Sequence, residues 1–474
     1  MKKTVSLMTI TALVFVLLAG CGGNSNSSSS AAPETAAATA AATTAATAEP
    51  TATEAPTAEP AAPAEIVTIK TSITNGELSK DQIAEFEQAN PNIKIEIVEL
   101  DATKLAAQLA TGDAPDVLRI SGAFETGGYV IKGIAMDLTE QINASTVINK
   151  DDLMDIDNVF RFDGQTIGKG PIYGLPKDWS SDYTIWYNKK VFEAAGVALP
   201  DPTIPLTWPE IMALAKKLTI KGKQYGLAAT EWGKTEPNFN IMLDYLASAG
   251  VAINAPDNSS MDFNNQAVKD FIAMWVDAVK SNIGPNSVNG DKISGGDLFT
   301  QNKLGMLING YWYSGALRSN DNSKTHLSDF GMMPAPLAPG GKRVSPTGGA
   351  TGAIINKASK HPKEAWTFFE WFFAGKPADD RAKTGWGLPA FTSKMSLLPQ
   401  ETDFDKAVYA VLQDELKYSG DFLPVNPYLS GGGWGIFDKY VNPLYFGKSN
   451  IDDAVKGMTK DANVAITEAK NAMN

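Results

Sequence analysis

Few residues of this chain have the types and the spacing that catalysis or metal binding requires. The sequence contains two histidines and one cysteine. His326 lies in the polar stretch NSKTHLSD and His361 precedes a proline in SKHPKEAW, so we expect both in surface loops. The sequence has no His/Cys cluster, no GxSxG motif and no phosphate-binding glycine loop at the required spacing. We therefore expect neither a cofactor nor a bound metal.

A pair of carboxylates is the one catalytic arrangement that the composition leaves open, because glycoside hydrolases use two acidic residues. With 53 Asp and Glu residues some pair always lies close together, and the sequence gives no reason to choose one. The formal net charge is −12, and it becomes −10 when the two lysines and four glutamates of the first 64 residues are removed. An acidic domain binds nucleic acid and anionic lipid poorly, which argues against both partners.

Tryptophan is the most informative residue type of this sequence, which contains ten copies of it. Trp186 lies in a strand pattern, and four others lie in helical patterns that predict core positions: Trp208, Trp275, Trp366 and Trp371. Five lie in loops rich in Gly, Pro and polar residues, where no periodicity demands burial: Trp179, Trp232, Trp312, Trp386 and Trp434. An indole stacks on the apolar face of a sugar ring, so each is a candidate for ligand contact, with packing between lobes as the alternative.

Polar side chains near predicted strand ends are candidates for hydrogen bonds to ligand hydroxyl groups. The set is Asn75, Glu77, Glu125, Asp178 and Ser181, with Asp182 as an alternative to Ser181. Asn75 also begins a good turn dipeptide, and Asp178 could instead bond the backbone of a hinge. Gly349, in the stretch GGAT, would let the backbone approach a ligand closely, because glycine has no Cβ.

The elements that must position these residues begin with three strands separated by helices. The run EIVTIKTS, the alternating isoleucines 93, 95 and 97, and the run DVLRIS predict the strands, and Ser79 with Gln82 forms a capping box at the first helix. Strands that alternate with helices predict a parallel α/β sheet. Ligands collect beyond the carboxyl ends of such strands, so residues 74–77 and 121–128 are predicted binding loops.

The N-terminal region reads as an export signal followed by a tether. Lys2 and Lys3 precede an apolar run that is short for a membrane-spanning helix and ends at Cys21. The sequence LAGC resembles the lipobox of bacterial lipoproteins, which implies cleavage after residue 20 and diacylglycerol on the Cys21 sulfur. Residues 21–64 are then Ser, Ala, Thr, Pro and Glu repeats that cannot form a core, so they predict a disordered tether.

Five segments in order carry a resemblance to a known family. They are LATGDAPDVLRISG, YGLPKDWSSDYTIWYNKKVFEAAGV, LTWPEIMALAKKLT, QNKLGMLINGYWYSGAL and PTGGATGAIINKASKHPKEAWTFFEWF. Their order and spacing are similar to those of family 1 extracellular solute-binding proteins, the maltose-binding-protein-like lipoprotein receptors of ABC importers. The resemblance implies two α/β lobes joined by a hinge, of residues 65–176 plus 337–385 and residues 177–333 plus 388–474. It also implies that Trp312, which follows an Asn-Gly turn, stacks on sugar.

The resemblance implies a function without chemistry of its own. We expect a monomeric receptor, lipid-anchored on the outer face of the cytoplasmic membrane, that closes its lobes on a carbohydrate, in first place an oligosaccharide. It would deliver that sugar to the membrane subunits of an ABC permease. Two alternatives stay open: the same fold binding a polyamine or peptide, because aromatic rings and carboxylates also hold cations, and a surface-anchored glycoside hydrolase.

Overall fold

The computed structural model of the chain describes residues 65–473, except 101–103, 232–233, 291, 348, 421 and 430. The predicted export signal, Cys21 and the tether lie outside these residues, as does Trp232. The described part is a two-lobed α/β fold built on a five-stranded and a four-stranded sheet. None of its helices is both long and apolar enough to cross a membrane.

The first sheet has the strand order β2-β1-β3-β11-β6. Its strands are β1 (Val67–Thr71), β2 (Ile93–Ile97), β3 (Val117–Ser121), β6 (Gly174–Asp178) and β11 (Thr351–Ile355). The first three strands are mutually parallel, which confirms the parallel α/β prediction for this region. Strand β11 is antiparallel to both β3 and β6. A separate hairpin joins β4 (Arg161–Phe162) to β5 (Ile167–Ile172).

The second sheet has the strand order β10-β7-β9-β8. Its strands are β7 (Ile185–Asn188), β8 (Tyr225–Ala228), β9 (Leu304–Ile308) and β10 (Phe330–Met333). Strands β8 and β9 are parallel, and β7 is antiparallel to both of its neighbours. The chain passes from the first sheet to the second between Asp178 and Ile185, and it returns between Met333 and Thr351. The residue boundaries of the two lobes stay a prediction.

Fifteen α-helices in the described residues cover the two sheets. They are α1 (Lys80–Ala89), α2 (Leu105–Thr111), α3 (Gly122–Ile131), α4 (Thr139–Ala144), α5 (Lys189–Ala195), α6 (Trp208–Leu218), α7 (Phe239–Ala249), α8 (Gln266–Lys280), α9 (Gly295–Thr300), α10 (Tyr313–Ser319), α11 (Pro362–Ala374), α12 (Lys376–Thr384), α13 (Asp403–Glu415), α14 (Gly432–Tyr445) and α15 (Ile451–Asn471). The predicted capping box of Ser79 and Gln82 is present at α1, and a second one begins α6.

Glycine-rich stretches account for two wrong predictions. Residues 121–128, predicted as a loop, are mostly the start of helix α3, and Trp434, predicted in a loop, lies inside helix α14. In both helices glycine serves close packing: a Cβ on Gly127 would come within 2.8 Å of the Pro427 carbonyl oxygen, and one on Gly433 within 2.8 Å of the Phe239 ring. Trp386, predicted in a loop, lies outside the helices and strands, and the nearby Leu388 forms an isolated bridge with Trp179.

The tryptophans predicted in the core are mostly confirmed there. Trp186, Trp208 and Trp275 are fully buried, and the rings of Trp208 and Trp275 meet edge to face with their centroids 5.6 Å apart. Trp366 and Trp371 are only partly buried and pack against the hydrophobic cluster beneath the first sheet. A separate apolar cluster contains residues of both sheets, and it includes Trp179 with Trp312 packed against it.

Candidate functional site

A cleft of about 430 Å³ opens where the ends of the two sheets meet. The first sheet contributes the segment after β1, the end of β6 and the start of β11, and the second contributes the segments after β8 and β9. The side chains that line it are mainly polar, charged or aromatic, and they include Glu77, Arg119, Phe124, Lys177, Asp178, Trp179, Asp182, Glu231, Asn240, Asn309, Trp312, Arg381 and Trp386. Its volume lies in the range of small-molecule sites.

A charged network forms the side of the cleft next to the first sheet. Arg119 Nε donates to Glu77 Oε2 at 2.8 Å, and Lys177 Nζ lies 3.1 Å from Glu77 Oε1. Lys177 also pairs with Asp178, which accepts a 2.7 Å bond from Arg381 Nε. Burial alone would raise the pKa of Glu77, but Lys177 and Arg119 hold it well below its ordinary value. Glu77 is therefore held as a carboxylate by the two cations that it contacts.

Two indoles form an aromatic wall beside this network. Trp312 precedes helix α10 and Trp386 follows α12, and their rings stack with centroids 6.0 Å apart and an interplanar angle of 16°. The guanidinium of Arg381 lies 5.2 Å from the centroid of Trp386. Both tryptophans are only half-buried, so part of each ring remains available. Such a surface suits the C–H face of a sugar ring.

Two carboxyl groups with raised pKa values, those of Asp182 and Glu231, line the cleft together with Trp312. Burial, together with the charge of Glu231, raises the pKa of Asp182 to about 7 against hydrogen bonds from Ser180 and Trp312. Burial likewise raises the pKa of Glu231 to about 7. The two groups are thus partly protonated near neutral pH. This side of the cleft therefore changes its charge near neutral pH, whereas the other side consists of ion pairs.

The structure brings six of the predicted site residues to the cleft: Glu77, Asp178, Trp179, Trp312, Gly349 and Trp386. Asp182, predicted as the alternative to Ser181, also lines it. Trp179 is nearly buried, with its ring N–H donating to the Pro389 carbonyl at 3.0 Å. A Cβ on Gly349 would come within 3.3 Å of Asp182 Oδ2, so the chain does approach closely there. The binding roles of these residues stay predictions.

Four predicted residues lie away from the lining. Asn75 is exposed beside the lining residues Thr74 and Gly76, and Glu125 accepts a 2.6 Å bond from the backbone N–H of Ser121. The Trp434 ring N–H donates to Asn240 Oδ1 at 2.8 Å, so it supports a lining side chain from behind.

Ser181 instead belongs to a buried chain of hydrogen-bonded side chains. This chain lies between the two crossing segments, residues 178–185 and 333–351, that connect the sheets. Its hydroxyl bonds that of Ser345, which donates to Glu415 Oε2 at 2.6 Å. Glu415 also accepts a 2.6 Å bond from Arg343, whose guanidinium lies over the ring of Tyr418. These bonds tie the two segments that join the sheets to the end of helix α13. Ser181 therefore positions the crossing segment that carries Asp182.

Sequence reasoning missed most of the basic and amide groups of the cleft. Arg119, Lys177, Arg381, Glu231 and Asn309 were not among the predicted residues. Arg119 lies in the middle of strand β3, where its side chain looks like one polar position in an alternating pattern. Lys177 adjoins Asp178, which was predicted, but adjacent residues of a strand point to opposite faces as a rule. Only the fold shows that they share one site.

The arrangement can bind and orient a polar ligand. The described residues contain no group of three or more His, Cys, Asp and Glu side chains that could hold a metal ion. The cleft offers guanidinium and amide donors, carboxylate acceptors and an aromatic surface in one place. That combination matches a ring with many hydroxyl groups, which are donors and acceptors at once.

Comparisons with known proteins agree with this geometry. The family model for bacterial extracellular solute-binding proteins matches residues 70–376. An uncharacterized lipoprotein of Streptomyces antibioticus, from the oleD 5' region, is 25% identical over 330 residues, which cover 67% of this chain and 68% of that protein.

Two solved structures share the fold. An ABC substrate-binding protein of Listeria monocytogenes in complex with cycloalternan is 23% identical with a TM-score of 0.69, covering 85% of this chain and 99% of that one. An ABC transporter solute-binding protein of Thermotoga lettingae bound with α-D-tagatose is 19% identical with a TM-score of 0.68, covering 85% of this chain and 100% of that one.

Proposed function

This chain belongs to the bacterial extracellular solute-binding protein family, and we propose that it captures a carbohydrate in the cleft described above and delivers it to an ABC permease. One observation carries the proposal: the stacked pair of Trp312 and Trp386 lies beside the fixed ions of Glu77, Lys177 and Asp178. An apolar surface next to ordered donors and acceptors complements a sugar, whose rings have an apolar face and a polar rim. The sugars bound by the similar structures support this class of ligand.

We further propose that the ligand is an oligosaccharide. Trp312 and Trp386 place two indoles in one wall, and the cleft continues from this wall to the ion-paired side chains of Glu77 and Asp178. A ligand that stacks on the wall and also reaches those side chains is better matched by several linked sugar rings than by one. A ligand that contacts both lobes would favour the closed arrangement over the open one, so binding would drive closure.

We also propose that the protein works as a monomer at the outer face of the membrane, held by lipid on Cys21, and that it performs no chemistry itself. The family match and the related lipoprotein support this part of the proposal. The permease would then receive the sugar from a receptor that stays close to it. The tether predicted for residues 21–64 would leave the folded part free to reach the permease.

The test is a thermal-shift screen of the purified protein against sugars, amines and peptides, followed by tryptophan fluorescence titration. A ligand that binds only the folded state raises the melting temperature. We expect a saturable fluorescence change with a sugar, and a loss of one to several kcal/mol of binding free energy in Trp312→Ala. As a control, Trp366→Phe should keep the affinity, because Trp366 packs on Phe369 beneath the first sheet.

Other results would favour the alternatives. A melting-temperature rise with polyamines or peptides, and none with sugars, would assign the cleft to a non-sugar solute. Conversion of a sugar over time, abolished by Asp182→Asn or Glu231→Gln, would show a glycoside hydrolase. Unchanged sugar affinity in Trp312→Ala would refute the proposed stacking surface.

A further inference from the structure

Two polar side chains in the cleft are almost fully buried, and each has one polar atom without a hydrogen bond of good geometry. Glu231 is 8% exposed and Asn309 is 5% exposed, and both line the cleft. Among the described residues, nothing bonds Glu231 Oε1 or Asn309 Nδ2. The Asn309 amide is near enough to oppose the rise in the pKa of Glu231, yet it makes no direct bond of good geometry with it. Glu231 Oε1 can accept a hydrogen bond when the carboxyl group is ionised, and Asn309 Nδ2 can donate one.

Leaving such atoms unbonded is costly for a folded protein. A buried polar group without a partner costs about 1–3 kcal/mol, and most buried polar groups in proteins are bonded. Elsewhere in this protein a buried amide of the same type has hydrogen-bond partners. The amide of the fully buried Asn286 donates to the carbonyl of Gly284 at 3.1 Å and to that of Val279 at 3.3 Å. The two unbonded groups therefore point to a ligand.

The backbone holds both residues firmly from behind. Asn309 directly follows strand β9, and its N–H donates to the Thr184 carbonyl at 3.0 Å. The carbonyl of Glu231 accepts a 2.8 Å bond from the N–H of Gly296 at the start of helix α9. These bonds fix the backbone from which each side chain extends. The donor and the acceptor are therefore anchored at defined points of the cleft.

Their position relative to the aromatic wall identifies what they face. Asn309 precedes Trp312 by three residues, and Asp182, which bonds the Trp312 side chain, feels the charge of Glu231. The unbonded pair therefore lies at the edge of the surface on which we place the sugar ring. A ring stacked on an indole directs its hydroxyl groups sideways, toward groups in this position.

We propose that Glu231 and Asn309 determine specificity by binding one ring hydroxyl of the sugar that stacks on Trp312. The hydroxyl oxygen accepts the bond from Asn309 Nδ2, and its proton is donated to Glu231 Oε1. This inference rests on the proposed function. A sugar that lacks the hydroxyl would leave both protein atoms buried and unbonded, and sites built in this way reject such analogues strongly.

The first experiment needs no ligand. Asn309→Leu and Glu231→Met remove unbonded polar groups while nearly keeping side-chain volume, so we expect the melting temperature of the unliganded protein to stay within about 1 °C or to rise. The matched controls are Asn286→Leu and Glu415→Met, which remove bonded groups of the same types. We expect these to lower it by about 3 °C or more. Equal losses in the test and control variants would overturn the inference.

The second experiment measures affinity by calorimetry at pH 8. This pH lies above the Glu231 pKa of about 7, so most of the Glu231 side chain is ionised and can only accept hydrogen bonds. The probes are cycloalternan, maltotriose, α-D-tagatose and D-mannitol. For each probe that binds the wild-type protein, we expect Glu231→Gln and Asn309→Leu to weaken binding at least about tenfold. Affinity unchanged within about twofold would overturn the inference while leaving the proposed function intact. If no sugar binds the wild-type protein, the proposed function fails and the inference fails with it, whereas sugar binding that is unchanged in both variants overturns the inference alone.

Discussion

Replacing Glu77 by Gln should reveal how much the charged network of the cleft stabilises the fold. The side chains of Glu77 and Lys177 are only 9% and 7% exposed, and Arg119 is 35% exposed. The substitution keeps the shape but removes the carboxylate that Arg119 and Lys177 share, and the neighbouring Asp178 is already paired with Arg381. Removing one partner of a buried ion pair costs about 3–5 kcal/mol. Because Arg119 is partly solvated, we expect the lower end, about 3 kcal/mol.

The control is the same substitution in an exposed pair of the same lobe. Glu87 pairs with Lys94 at 2.7 Å, with side chains 21% and 47% exposed. Exposed pairs contribute at most about 1 kcal/mol, so Glu87→Gln should cost less than that. Unfolding entropy scales with length, and for about 410 residues a loss of 3 kcal/mol lowers the melting temperature by roughly 3–4 °C. Urea and thermal unfolding of both variants measure the difference.

The pH dependence gives a second check on the same variant. The folded-state pKa of Glu77 is depressed, so its stabilisation is complete above its ordinary pKa of 4.5 and is lost as the pH falls below that value. The stability gap between wild type and Glu77→Gln should therefore shrink between about pH 5 and pH 3. A gap no larger than that of Glu87→Gln, or one independent of pH in this range, would refute the reasoning.

Two further predictions concern other acidic and lipidated sites. The pKa of Glu231 is raised from 4.5 to about 7, so the folded state holds a proton that the unfolded state releases, and stability should fall between pH 5 and pH 8; Glu231→Gln should flatten this fall by up to about 3 kcal/mol in unfolding titrations. Cys21→Ser should move the protein from the membrane fraction to the soluble fraction without changing sugar affinity; an unmodified Cys21 in mass spectra of the membrane-bound protein would contradict this.

Local signals in the sequence predicted the elements well. The capping boxes that begin α1 and α6 depend on side chains three residues apart, which any single helix start can satisfy. Strands β1, β2 and β3 follow from alternating apolar residues with helices between them. The family prediction is also confirmed, because the model for bacterial extracellular solute-binding proteins matches residues 70–376.

The errors and omissions have a common physical cause. Gly127 and Gly433 were taken as loop residues, although they lie in helices whose neighbours approach too closely for a Cβ. That approach depends on Pro427 and Phe239, which are distant along the chain. In the same way, Glu77 meets Lys177 only after the sheet has formed. Residue type and local spacing contain no information about contacts between residues that are far apart in the sequence.

The crossing segment between β6 and β7 connects side chains that line the cleft with the buried polar chain that includes Ser181. Asp178 and Asp182 line the cleft, while Ser181 joins the buried chain through Ser345 to Glu415. A change in backbone angle at this segment must therefore alter the cleft and the buried chain together. A sugar that fixes Asp182 against Trp312 would restrict the same peptide groups that the lobes must rotate. Closure would then need no separate signal, because the residues proposed to bind the ligand lie next to Ser181 on one short stretch of chain.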